Sequence, residues 1–195
     1  VPALLLALAV DRLGSALHPL EPFWHEAHPL GRVAAGLAFL HELWFGSLRM
    51  PANVPYWSIG YEFWYYALFG CALYLKGRRR LVAVGAAALI AGPKILVLLP
   101  VWAMGVAVQR IVVKGRRIGP LALTPGLGWA LFGGSLAAYA IAYALELRPG
   151  LEWRAERLVP AGIDLGWSTE FLWKLIAGGL AAANLLGFAA IASPA

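Results

Sequence analysis

Long apolar runs alternate with short polar interruptions along this chain, and the run lengths predict helices in a bilayer. Apolar character holds over residues 1–10, resumes after Asp11 and Arg12, and lasts to Leu17. It returns over 33–46, 56–75, 81–111 (broken at Gly92, Pro93 and Lys94), 126–145 and 167–192. A helix needs about 20 consecutive apolar residues to cross the hydrocarbon core. The pattern therefore predicts an all-α, polytopic membrane protein with about five to six transmembrane helices. Residues 33–46 are too few to span and predict a short re-entrant or interfacial helix. No repeat divides the chain, so 1–195 reads as a single integral-membrane domain.

The polar interruptions orient this frame. Residues 18–32 set Pro19, Pro22 and Pro29 among His18, Glu21, His25, Glu26, His28 and Arg32, the composition of a solvated loop. His25 and His28 stand three apart and meet Pro29, whereas a zincin helix needs its histidines four apart; no metal site is expected. Arg78, Arg79 and Arg80, and then Lys114, Arg116 and Arg117, form two basic clusters that the positive-inside rule assigns to the cytoplasm. An even number of crossings must separate them. Segments 81–92 and 95–111 thus predict a hairpin of short, tilted helices with Lys94 outside at the turn. Alternatively, Lys94 is buried opposite Glu62 as its counter-ion.

Further on, Gly133, Gly134, Ser135, Ala137 and Ala138 give span 126–145 a small-residue surface for close helix approach. Charges alternate over 146–166 around a turn at Pro149 and Gly150, and 151–159 predicts an amphipathic surface helix carrying Trp153. Trp167, Ser168 and Glu170 read as the interfacial start of the last span.

Composition agrees. Hydrophobic residues make up 61% and charged residues 13%, against about 45–50% and about 25% in soluble domains. The lipid bilayer is the expected surrounding. The net charge of +6 is explained by cytoplasmic loop residues, so no nucleic-acid partner is expected. Nine Trp and seven Tyr suit the aromatic belts at two membrane interfaces. The one cysteine, Cys71, cannot form an intrachain disulfide.

One residue contradicts its surroundings. Glu62 lies two turns inside the apolar run 56–75, where a carboxylate costs about 2.5–3.5 kcal/mol and needs a partner, water or a purpose. At helical spacing Ser58 lies four residues before it and Tyr65 and Tyr66 three and four after, with Tyr61 flanking the same face. Spacing leaves three readings open: an ion pair gluing two helices, a reactive site, or a transport site. A capping box from Ser58 is disfavoured, because its acid belongs three residues on. Asn53 is the expected N-cap, with Pro55 in the first turn. His41 and Glu42 either face the cavity of Glu62 or lie at the headgroup level.

The run Asn53-Val-Pro-Tyr-Trp-Ser-Ile-Gly-Tyr-Glu-Phe-Trp-Tyr-Tyr resembles the signature of the membrane-bound acyltransferase 3 family, N-x-P-x-W-S-[LI]-x-x-E-x-x-[FY]-Y. That resemblance implies an integral-membrane O-acyltransferase, of the kind found in bacterial inner membranes. Such an enzyme moves an acyl group, commonly acetyl, from acyl-CoA to a hydroxyl of a glycan or lipid-linked sugar. It implies no bound cofactor, acetyl-CoA or another acyl-CoA being the donor substrate. Asn53, Pro55, Trp57, Ser58, Glu62 and Tyr66 match the motif residue by residue. Glu62 becomes the expected catalytic residue, and Asn53, Trp57, Ser58, Tyr61 and Tyr66 the expected substrate-binding set. Family members also carry an arginine motif and an essential histidine in their first helix. Both would precede Val1, so this chain is expected to be the middle portion of a family member, cut at both ends. None of His18, His25, His28 or His41 takes that histidine's role. The rival classes are an ion-coupled transporter using Glu62 and Lys94, and a catalytically inactive membrane fragment.

Overall fold

The computed structural model describes residues 6, 9, 10, 13, 14, 16, 17, 29–48, 54–114, 117, 118, 121–160 and 162–192. The elements among them are α1 (Pro29–Leu37), a 3-10 turn (Val54–Tyr56), α2 (Trp57–Tyr74), α3 (Gly77–Ala91) and α4 (Pro93–Leu96). They continue with α5 (Leu99–Val113), strands β1 (Arg117–Ile118) and β2 (Leu121–Ala122), α6 (Pro125–Ala144) and α7 (Leu147–Leu158). A second 3-10 turn (Gly166–Ser168) and α8 (Phe171–Ile191) complete the series. Among the described residues the regular structure is helical apart from a two-stranded antiparallel ribbon, which pairs Arg117 with Ala122 and Ile118 with Leu121.

Among the described residues three helices are long and apolar enough to cross a membrane: Pro93–Val113, Pro125–Ala144 and Phe171–Ile191. These mark a membrane protein. Helix α2 is not one of the three, although its 18 residues would reach about 27 Å. Glu62 and the polar tips of its tyrosines and tryptophans lower its hydropathy. Helix α3, at 15 residues, is shorter than a span.

The chain forms two compact units, Val1–Ile95 and Leu96–Ala195. In the first, the described residues between 6 and 17 are helical. Helix α1 stops at Leu37, so the helix predicted over 33–46 is only partly present. Its end has the bonding of a Schellman motif: Leu40 N–H donates to Ala35 C=O at 2.8 Å and Phe39 N–H to Gly36 C=O at 3.1 Å. The left-handed position falls on Phe39, φ 57°, not on the usual glycine. What holds a phenylalanine there is its ring, stacked on Phe63 at 4.3 Å, and its carbonyl, which accepts a hydrogen bond from Trp64 Nε1 at 3.0 Å. Residues 38–48 then run as an irregular loop.

Helix α2 begins differently from the expected cap. Its N-cap is Tyr56, whose side chain does not cap the helix but donates to Gly36 C=O at 3.3 Å, and Pro55 lies in the preceding 3-10 turn. Asn53 lies outside the described residues, as do His18, His25 and His28. Arg78, Arg79 and Arg80 are exposed, but they form the first turn of α3, not a loop.

In the second unit, α6 and α5 both pack on α8, and α7 packs against α6 and α8. Leu123, Leu186 and Ala190 form a buried cluster with Val108, Ile111, Val112, Leu127 and Leu131 around it. Helix α6 matches the predicted span, capped by Thr124, whose hydroxyl accepts from Leu127 N–H at 3.3 Å. Of the expected small residues Ser135 lies on the contact face, but the glycines there are others. A Cβ on Gly133 or Gly134 would meet nothing within 4 Å, whereas one on Gly128 would lie 3.0 Å from Gly187 C=O, and one on Gly187 2.5 Å from Phe132 N. The helices touch on the face that holds Gly128, and Gly133 and Gly134 turn away from it. Ser135 is buried there, and Asn184 Nδ2 bridges to Ser135 Oγ at 3.1 Å and Phe132 C=O at 3.2 Å. Helix α7 starts at Leu147, four residues before the predicted amphipathic segment, and takes Pro149 and Gly150 into its first turns. Pro149 is tolerated because first-turn N–H groups have no intrahelical partner.

Candidate functional site

Helix α2 divides the expected site residues between two faces. A turn of 100° per residue separates neighbours, so Trp57, Tyr61 and Tyr65 line one side while Ser58, Glu62 and Tyr66 line another. The first set packs inward. Trp57 meets Tyr61 edge-on at 5.2 Å, Tyr61 meets Tyr65 at 6.3 Å, and Tyr65 Oη donates to Ile95 C=O at 2.9 Å. The second set faces outward. Ser58 Oγ donates to Pro55 C=O at 3.0 Å, tying the hydroxyl back to the helix start. Tyr66 is 59% exposed, and Glu62 is exposed. The single stripe of hydroxyl, carboxylate and phenols that spacing suggested is therefore split, and the expectation of a buried Glu62 is overturned.

The buried charges lie elsewhere in the same unit. Lys94, expected outside at a turn, is 0% exposed, and Glu42 and His41 are 1% exposed. Lys94 is buried against Glu42, not Glu62: its Nζ donates to Glu42 Oε2 at 2.5 Å, to Ser47 Oγ at 2.8 Å and to Gly46 C=O. Ser47 Oγ donates in turn to Glu42 Oε2 at 3.0 Å. An ammonium has three N–H donors, and these three acceptors match them. That satisfaction is what a buried ion pair needs to offset its desolvation.

Backbone geometry brings the pair together. Gly92, φ 80°, ends α3 and turns the chain so that Lys94 points back at the 38–48 loop. The loop lies on this corner. Trp44 N–H donates to Ala91 C=O at 3.2 Å, and a Cβ on Gly92 would fall 2.7 Å from Trp44 Cα.

His41 joins the cluster to helix α2. Its ring lies against Gly60, where a Cβ would be 2.8 Å from His41 Cε1, and 5.3 Å from the Tyr56 ring. Nε2 stands 3.3 Å from Tyr56 C=O; since a carbonyl only accepts, Nε2 carries the proton. Nδ1 is then a lone pair, and it is buried without a hydrogen-bond partner. Burial, the largest influence, pushes the imidazole below its usual range; Glu42 and the Tyr56 carbonyl oppose this and Lys94 reinforces it. The result is a neutral histidine beside a locked carboxylate–ammonium pair.

Sequence reading passed over His41, Glu42 and Lys94 as a trio. Two opposite charges, each alone in an apolar stretch, are the signal that points to them, because each must find a partner when buried. Among the described residues no group of three or more His, Cys, Asp or Glu could hold a metal ion. Comparison with family models, curated proteins and solved structures finds no match to this chain.

Proposed function

We propose that the chain belongs to a multi-pass O-acyltransferase of the acyltransferase 3 kind, in a bacterial inner membrane. It would carry acetyl or a related acyl group from acyl-CoA to a hydroxyl of a glycan or lipid-linked sugar. The observation that carries this is the signature-like run at residues 53–66, whose inner face, at Gly60, closes on a buried histidine. The five to six spans expected include α2 and the helix near the start of the chain, and both basic clusters lie in the cytoplasm only when the short α3 crosses as well, as the sixth. In this reading Glu62 acts from the outward face of α2, where a substrate can reach it. Its carboxylate takes the proton of the acceptor hydroxyl, and that oxygen attacks the thioester carbonyl. The C–S bond breaks, and CoA leaves as a thiolate that takes up a proton. His41, sealed by Tyr56 and Gly60, holds α2 in place and does not touch substrate.

The test is transfer of labelled acetyl from acetyl-CoA by membranes carrying the protein. Glu62→Gln is expected to lower turnover by about 10²-fold or more, the scale of a lost general base. Undiminished turnover would remove Glu62 from the chemistry.

A proton-coupled carrier is the second reading, favoured by the buried Glu42–Lys94 pair beside His41, since ionisable groups inside membrane proteins often form relays. Uptake of a labelled solute into proteoliposomes without CoA would replace the first reading with this one.

A further inference from the structure

The last turns of α6, the start of α7 and the first turn of α8 enclose a cavity of about 310 Å³ within the second unit. Tyr139, Tyr143 and Trp173 supply its aromatic walls, and Glu146 and Arg148 its two charged groups. Helices α6 and α8 are both long and apolar enough to span, so the end where they bring these rings together lies at the level of lipid headgroups. Aromatic residues are common at that level and by themselves mark only an interface. What these surround sets them apart.

The rings leave their faces open. Tyr139 and Trp173 are tilted by 41° with centroids 5.8 Å apart, and Tyr143 is 75% exposed. An aromatic face carries partial negative charge and attracts a cation. Elsewhere on α7 the chain meets such a face itself: the Arg157 guanidinium lies 3.6 Å from the centre of the Trp153 ring. Among the described residues no cation of the chain covers the three rings of the cavity.

The charges that line the cavity point the same way. Glu146, in the left-handed region at φ 49°, turns the chain from α6 into α7. Its carboxylate makes no hydrogen bond or ion pair among the described residues. Arg148, by contrast, is already paired: its Nε donates to Glu152 at 2.7 Å and its Nη2 to Glu170 at 2.5 Å. Those two carboxylates offset its charge, so it does little to repel a second cation. A guanidinium has five N–H donors, and further ones can serve an oxyanion beside the rings.

Three open rings and an unpaired carboxylate select an alkylammonium, and the arginine beside them selects a ligand that also carries an oxyanion. An ammonium joined to a phosphate by a short linker is the headgroup of a zwitterionic phospholipid. The cavity stands at the depth where such headgroups sit, which favours a lipid over a soluble amine. Its volume, near the low end of ligand pockets, suits the headgroup alone.

We propose that this cavity binds a zwitterionic phospholipid, its ammonium against Tyr139, Tyr143, Trp173 and Glu146 and its phosphate on Arg148. Such a site lies wholly within the second unit and is independent of any acyl transfer.

The experiment is native mass spectrometry of the full chain in a non-ionic detergent. Phosphatidylcholine, phosphatidylethanolamine and phosphatidylglycerol with matched acyl chains are supplied as an equimolar mixture, and choline chloride is titrated separately. One retained lipid is expected, with the two zwitterionic headgroups preferred about tenfold over phosphatidylglycerol. Tyr143→Leu and Glu146→Gln should each lower that retention about tenfold, the scale of a lost cation–π or charge contact. Tyr143→Phe keeps the aromatic face and should keep the lipid. Both positions are exposed, and an unchanged thermal midpoint verifies the fold. Equal retention of phosphatidylglycerol would overturn the proposal, as would retention indifferent to Tyr143→Leu and Glu146→Gln. A loss in Tyr143→Phe as large as in Tyr143→Leu would remove the ring face from recognition. Choline chloride held as tightly as the lipids would make this a site for free ammonium ions, and the lipid assignment would fall.

Discussion

Around α2 the apolar helices are joined by polar atoms, and around α8 by missing side chains. In the first unit the 38–48 loop reaches α2 and the α3–α4 corner through an ion pair, an indole N–H and main-chain bonds. In the second, α6 and α8 meet where Gly128 faces Gly187, with Asn184 as a polar bridge. Irregular backbone explains the difference. A loop among apolar helices carries peptide groups that must be satisfied, so it recruits polar partners. Two regular helices satisfy their own backbones, leaving only the distance between them to optimise.

The contrast is open to test, and its largest expected effect concerns the buried pair. Lys94→Met leaves Glu42 charged and buried, and should destabilise the first unit by about 3–5 kcal/mol. The double change Glu42→Leu with Lys94→Met should recover much of that, as read from denaturant midpoints in detergent. If the single and double variants are equally unstable, the pair is not what holds the loop.

Next in size is the helix contact. Gly187→Ala places a Cβ 2.5 Å from Phe132 N and should cost about 1–3 kcal/mol, the range for overpacking. Gly133→Ala and Gly134→Ala, with open space around them, should leave the midpoint unchanged. Equal losses at all three positions would refute the assigned contact face.

His41 should give the first unit a pH response that the second lacks. The ring is faced by Glu42, Lys94 and the Tyr56 carbonyl, and burial keeps it neutral. As pH falls below about 6.5, the unfolded chain takes up the proton first. Stability is therefore whole above that value and declines toward the lower folded-state pKa, by at most about 1.4 kcal/mol per pH unit. His41→Gln should remove this component from a stability–pH series between pH 7 and 5. The smallest effect is expected from Asn184→Leu, about 0.6 kcal/mol, the average for a polar contact between membrane helices.

Much of the second unit was legible in the linear pattern. Apolar runs long enough to span, bounded by turns, place α6 and α8 within a few residues, because a bilayer-length helix depends on local composition alone. The break at residues 92–94 and the surface helix carrying Trp153 were also visible. The first unit was less so. Asn53 to Tyr66 could be read as a motif, but which of its side chains turn inward depends on what α2 packs against. Glu62 was singled out for being charged in an apolar run, yet Lys94, Glu42 and His41 are the groups that became buried. Spacing within one helix cannot show this, since the partners stand 52 residues apart and meet only through a loop.

By itself, then, the sequence determined that the chain is helical and that several of its helices are long and apolar enough for a membrane. Those properties follow from composition and from spacing within a turn or two. Tertiary structure alone decided which charges are sealed, which glycines are touched, and that Tyr139, Tyr143, Trp173 and Arg148 border one cavity. Each of these is a contact between distant segments, and its energy exists only once the chain has folded back on itself.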